Sequence, residues 1–195
     1  MKRVLLVGLM LLMAAPVLAR NGAISLFTGS AGSFDCDMLL GAFQTGTIHI
    51  YWIKGEGPDL GNTAEFKLQK TSAQLTVLAP TWDARFTTVI GTLEGGISVG
   101  SNDCVGVGET YVHIGQFNLM NLGEPDTAWL KVMPDPNALE PGYVYITLCD
   151  LQKTTYAVEG GWFLIDSSAS EPNPTCSTAV IPRSWGAIKS LYRAE

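Results

Sequence analysis

The run Thr47-Ile48-His49-Ile50-Tyr51-Trp52-Ile53 alternates with a period of two, so Ile48, Ile50 and Trp52 share one face and His49, Tyr51 and Ile53 the other. Such alternation marks a β-strand, whose successive side chains point to opposite sides of a sheet. One face is expected to enter a core and the other to stay partly wet. The stretch Tyr111-Val112-His113-Ile114 repeats the arrangement, with Val112 and Ile114 together and His113 beside Tyr111.

Outward from these two strands the same signal recurs at 23–27, 64–69, 74–78, 86–90, 96–99, 128–133, 143–148, 154–158 and 162–165, in segments rich in β-branched and aromatic residues. Between them lie Gly-Glu-Gly-Pro at 55–58, Gly-Glu-Pro-Asp at 123–126, Pro-Asp-Pro-Asn at 134–137 and Gly-Gly at 160–161. Proline fixes φ and glycine permits positive φ, so these are turns. Many short strands with regular punctuation and almost no helical periodicity predict an all-β fold, an antiparallel two-sheet β-sandwich of Ig-like or jelly-roll-like type.

The two ends read differently. At the start, Lys2 and Arg3 precede an apolar run from Val4 to Ala15, and Val17-Leu18-Ala19 offers a small-residue cleavage site. That order is a secretory signal peptide; Pro16 breaks the run well short of the ~18 apolar residues of a membrane span. At the end, Trp185, Ile188, Leu191 and Tyr192 fall at helical spacing, with Ser184 placed to cap. The expected organisation is a signal peptide over 1–19, a β-sandwich over 20–180 and a short amphipathic helical tail over 181–195. After cleavage the chain is expected not to be transmembrane, and to be secreted or held in the periplasm or cell envelope.

The formal net charge is −6, and loss of the leader removes Lys2 and Arg3 but no acidic group. An acidic chain without clustered cations argues against nucleic acid as a partner. The four cysteines, Cys36, Cys104, Cys149 and Cys176, are widely spaced, with no C-x-x-C pair. In an exported chain an even count favours disulfides over a zinc knuckle or redox motif. Spacing does not choose among the three possible pairings; the arrangement expected is Cys36 with Cys176 and Cys104 with Cys149, which would tie the chain ends together and link two central strands.

Candidate chemistry is sparse. Gly96-Ile97-Ser98-Val99-Gly100 fits G-x-S-x-G, but that motif works only at a strand-to-helix turn, and Ser101-Asn102-Asp103-Cys104 does not begin a helix. Asp103 and His113 would have to complete a triad from only a few positions away. His49 and His113 are the only histidines; on neighbouring strands they could meet across a sheet, but no third metal ligand stands at a recognisable spacing. Acidic residues gather at turns, as Asp35 with Asp37, Glu56 with Asp59, Glu124 with Asp126, and Asp103 and Asp135. Calcium is possible there, although the regular ligand spacing of a calcium loop is lacking and no other cofactor is implied. Trp52, Trp82, Trp129 and Trp162 could stack on sugars or fill the core; for those on strands the core is expected, and Trp82, in Pro80-Thr81-Trp82-Asp83, is the expected exposed exception.

The tail Ser184-Trp185-Gly186-Ala187-Ile188-Lys189-Ser190-Leu191-Tyr192 resembles the closing segment of uncharacterised secreted bacterial β-sandwich proteins, which share an early cysteine after a short strand and a Pro-Asp-Pro turn like that at 134–136. Those proteins are richer in cysteine, so the resemblance implies no disulfide map and no activity. The segment Ala64-Glu65-Phe66-Lys67-Leu68 is similar to cohesin-like and carbohydrate-binding sandwiches, a likeness of fold only.

These readings converge on a non-enzymatic binding or assembly module of the envelope or extracellular space, with an unknown protein or glycan as partner. The candidate binding residues are Trp82, Trp185, Ile188, Leu191 and Tyr192, and the tail is the expected docking element. The rival readings are a carbohydrate-binding module and a secreted hydrolase.

Overall fold

The computed structural model describes residues 22–29, 35–55, 60–123, 127–138, 141–150 and 152–165. The expected leader, the tail with Trp185, Ile188, Leu191 and Tyr192, and Cys176 lie outside the described residues. Thirteen strands follow in chain order: β1 Gly22–Phe27, β2 Asp37–Met38, β3 Thr45–Lys54, β4 Gly61–Lys70, β5 Leu75–Val77, β6 Thr81–Trp82 and β7 Thr88–Thr92, then β8 Gly96–Val105, β9 Tyr111–Asn121, β10 Ala128–Met133, β11 Val144–Leu148, β12 Thr155–Gly160 and β13 Trp162–Ile165. The described part is all-β, and no helix in it is long and apolar enough to cross a membrane.

One sheet runs β1–β3–β9, with β5 and β6 side by side along the far edge of β9. The other is organised by β4. Its residues 61–66 bond β8 along one edge, while along the other its first half bonds β11 and its second half bonds β10. Beyond β8 lies β7, exposed along its whole length; beyond β10 lie β13 and β2.

The segment from β12 to β13 joins the two sheets. β12 pairs with β11 and, in parallel, with β1; after the break at Gly161 the chain continues as β13 against β10. Gly161 donates its N–H to Ile24 and accepts from Val132 N–H, both at 2.8 Å. A side chain has no room here, because a Cβ on Gly160 would strike the Val132 carbonyl and one on Gly161 would strike Ser25.

The alternation read from the sequence sorts residues as expected. Ile48, Ile50 and Trp52 of β3, Phe66 of β4, Ile97 and Val99 of β8, Val112, Ile114 and Phe117 of β9 and Phe163 of β13 are all buried in one core. The second face of β3 is drier than alternation alone implies, since Tyr51 and Ile53 are also buried. Cys104 at the end of β8 is bonded to Cys149 just beyond β11, the expected pairing. Cys36 is buried; its expected partner, Cys176, is outside the described residues.

Candidate functional site

Two outward faces carry side chains that could do chemistry or recognition. On the β4 sheet the outward positions are set by the buried ones between them. Ser98 and Tyr145 flank Glu65, Met133 stands beside Lys67, and Lys131 lies between Gln69 and Trp162. Trp129, one outward step from Lys131 along β10, reaches diagonally to Trp162, as large aromatic side chains on neighbouring strands can. Their ring centroids are 4.3 Å apart at an interplanar angle of 43°. Both rings are half-buried. They wall a groove of about 430 Å³, with Lys131 and Met133 at its side and Gly160 and Gly161 as bare backbone. The glycines that the sheet crossover requires therefore also leave the groove open.

The second face lies on β3 and β9. A β-bulge sets Ile114 and Gly115 together opposite Ile50, so His113 and Gln116 both point outward, facing Tyr51 and His49 respectively. A Cβ on Gly115 would meet Trp82 and the Thr81 carbonyl, so a bare backbone lets β6 lie close. His49 Nδ1 is 3.3 Å from His113 Nε2, and His113 Nδ1 is 3.4 Å from Asp83 Oδ2. Asp83 is held by an Asx turn, its Oδ1 accepting the Arg85 N–H at 3.1 Å and the Arg85 Nε–H at 2.9 Å. Arg85 continues to Glu109 Oε1 at 2.7 Å.

The electrostatics follow from this chain of contacts. Burial, and then the neighbouring His113, lower the pKa of His49 and favour its neutral form. Burial would raise Asp83, but hydrogen bonds and charge from Arg85, with a further hydrogen bond from His113, outweigh it and hold the carboxyl below its ordinary range.

Ser98 is not part of this cluster. It stands on a plain strand, outward, with Oγ 3.4 Å from Glu65 Oε1. The inward neighbours of Ser98 and of His113 belong to one core, so the two residues point from opposite outer faces. The carboxylate beside His113 is Asp83, while Asp103 is exposed. The structure therefore does not bring together the serine, acid and histidine of the hydrolase reading.

The cohesin module of a family 33 glycoside hydrolase from Clostridium perfringens superposes with a TM-score of 0.54 at 12% identity, over 75% of this chain and 96% of that one. The fold is similar to that of this cohesin module. Two further cohesins match at lower similarity. The sixth cohesin of scaffoldin B from Acetivibrio cellulolyticus, solved in complex with a dockerin, has a TM-score of 0.48 at 12% identity, covering 76% of this chain and 99% of that one. A type III cohesin from a cell-surface anchoring scaffoldin of Ruminococcus flavefaciens has a TM-score of 0.46 at 13% identity, covering 75% and 88%. No family model matches the sequence, and no curated protein does.

In this fold Trp82 occupies a two-residue strand, half-buried and packed on the core, rather than a free loop. Trp52 is core, as strand position implies, whereas Trp129 and Trp162 face outward. Arg85 belongs to no recognisable motif; its only local signal is the Asp83-x-Arg85 spacing of the Asx turn. Among the described residues no three His, Cys, Asp or Glu side chains converge as a metal set. Of the acidic turn residues, Asp135 caps Asn137 N–H at 2.7 Å, while Glu56, Asp59, Glu124 and Asp126 lie outside the described residues.

Proposed function

We propose that this chain is a non-enzymatic protein-recognition module, exported to the envelope or beyond, which docks a protein partner on the outward face of β4, β10 and β13. The observation that carries the reading is the Trp129–Trp162 pair in its groove. Tryptophan is enriched among the few residues that dominate protein interfaces, because a large rigid ring buries much area at low entropic cost. The cohesin fold supports the same reading, and one cohesin is solved with a dockerin bound. Export rests on the leader pattern around Lys2, Arg3 and Val17-Leu18-Ala19. The tail residues Trp185, Ile188, Leu191 and Tyr192 remain proposed as a second docking element.

The test is partner capture from envelope and medium fractions by three forms: the chain from Arg20, the same chain ending at Ala179, and the double variant Trp129→Ala/Trp162→Ala. Loss of capture only in the double variant supports the groove, and loss only on truncation moves recognition to the tail. Equal capture by all three overturns both assignments. A glycan is the second reading, favoured by the same pair, since indole faces stack on pyranose C–H faces. Quenching of tryptophan fluorescence by soluble polysaccharides, abolished in the double variant, would establish it over a protein partner.

A further inference from the structure

We propose that His49 and His113 form a two-point chelate for one divalent transition-metal cation of the zinc and copper class. The site lies on the opposite sheet from the tryptophan groove and does not depend on the function proposed for it. The two facing nitrogens, His49 Nδ1 and His113 Nε2, are 3.3 Å apart. A cation about 2.0–2.1 Å from each, the ordinary distance for an imidazole ligand, would subtend an angle of about 104–111°. That is close to tetrahedral.

Three further features make the pair a chelate. First, Asp83 Oδ2 lies on His113 Nδ1, which places the proton there and leaves the Nε2 lone pair bare toward His49. A carboxylate behind a ligating histidine raises its basicity and fixes its ring. Secondly, the carboxylate is anchored by Arg85, which is itself tied to Glu109, so the orienting group is rigid. Thirdly, the bulge at Ile114 and Gly115 is what turns His113 onto the face of His49, so the approach is built into the strand geometry. His49 presents a bare Nδ1 in the tautomer protonated at Nε2. The remaining positions on the cation take water, since the His113 side chain is 28% exposed. Imidazole donors favour copper(II) over zinc and nickel in intrinsic affinity.

The sequence contains two histidines in all, so every imidazole donor to a bound ion comes from this pair. The experiment is calorimetric titration of the purified chain from Arg20, disulfides intact, with zinc chloride at pH 7.5, and spin-echo spectroscopy of the copper(II) form. One ion per chain is expected, with modulation from two imidazole nitrogens. His49→Ala and His113→Ala should each weaken zinc binding at least tenfold, and Asp83→Asn by about 10–100-fold. Binding that is unchanged in the two histidine variants, or a copper spectrum without two imidazoles, would overturn the proposal in favour of a simple histidine–histidine hydrogen bond. The spectrum needs no variant, so the proposal stays testable if a substitution perturbs folding.

Discussion

His113 directs Nδ1 at Oδ2 of Asp83, 3.4 Å away, while its Nε2 faces His49. Burial of His49, and then the neighbouring His113, lower the pKa of His49 and so set the acid response near neutral pH. His49 resists protonation in the folded chain, so as pH falls through about 6.5, the ordinary histidine range, the unfolded chain binds the proton first and stability drops. Asp83 acts in the same direction lower down. Its folded pKa is depressed, so its contribution is complete above about 4 and is lost as pH falls further. The melting temperature is expected to fall between pH 7.5 and 5, and His49→Gln to flatten that part of the profile. A flat wild-type profile would refute the account.

Cys104 and Cys149 close a loop with a sequence separation of 45. On the chain-entropy scale such a loop contributes about 4 kcal/mol. The double variant Cys104→Ser/Cys149→Ser should lose roughly that amount in urea unfolding, with the far-ultraviolet spectrum still that of a β protein.

Gly160→Ala should cost about 1–3 kcal/mol or more, since overpacking here meets the Val132 backbone carbonyl rather than a side chain that can rotate away. Thermal melts of Gly160→Ala beside Gly108→Ala give an internal contrast. Gly108 has nothing within 4 Å but a φ of +68°, so its cost is that of backbone conformation alone.

Trp52 is 4% exposed and its Nε1 is, among the described residues, the buried side-chain polar atom without a hydrogen-bond partner. An orphaned donor costs roughly 1–3 kcal/mol, so removing it offsets lost packing. Trp52→Phe should therefore change stability by less than about 1 kcal/mol, whereas Trp52→Ala should cost about 3–5 kcal/mol. Equal losses in both would mean that the indole N–H is satisfied in solution.

Trp129→Ala removes a ring packed at a tilt against Trp162 on a half-buried face, which is worth about 1 kcal/mol as an aromatic pair. It should lower the melting temperature by only a few degrees while abolishing partner capture. A large stability loss with capture retained would place Trp129 in the structural frame instead.

Much of the architecture was legible because alternation reports directly on sheet faces. Alternation alone marks the strands at 128–133 and 162–165 to their observed limits, and Cys104–Cys149 is the expected link. β2 and β6 leave no signal because two residues cannot display a period. β8 runs on to Val105 through Ser101, Asn102 and Asp103, whose composition imitates a loop. The site was less legible. Whether His49 and His113 meet depends on register and on a bulge, and the outward turn of Trp129 and Trp162 depends on β10 lying between β4 and β13. Neither relationship is local in sequence, and strand position alone assigns these aromatics to the core.

The parallel pairing of Ala23 and Ile24 with Glu159 and Gly160 has a kinetic meaning. Among the described residues the first strand is sealed by the last but one, so a chain still emerging from the ribosome lacks the segment that pairs with this edge of β1. Contacts of such long sequence separation form slowly. For the export proposed above that delay would be an advantage, because the closing step waits until the whole domain has been delivered.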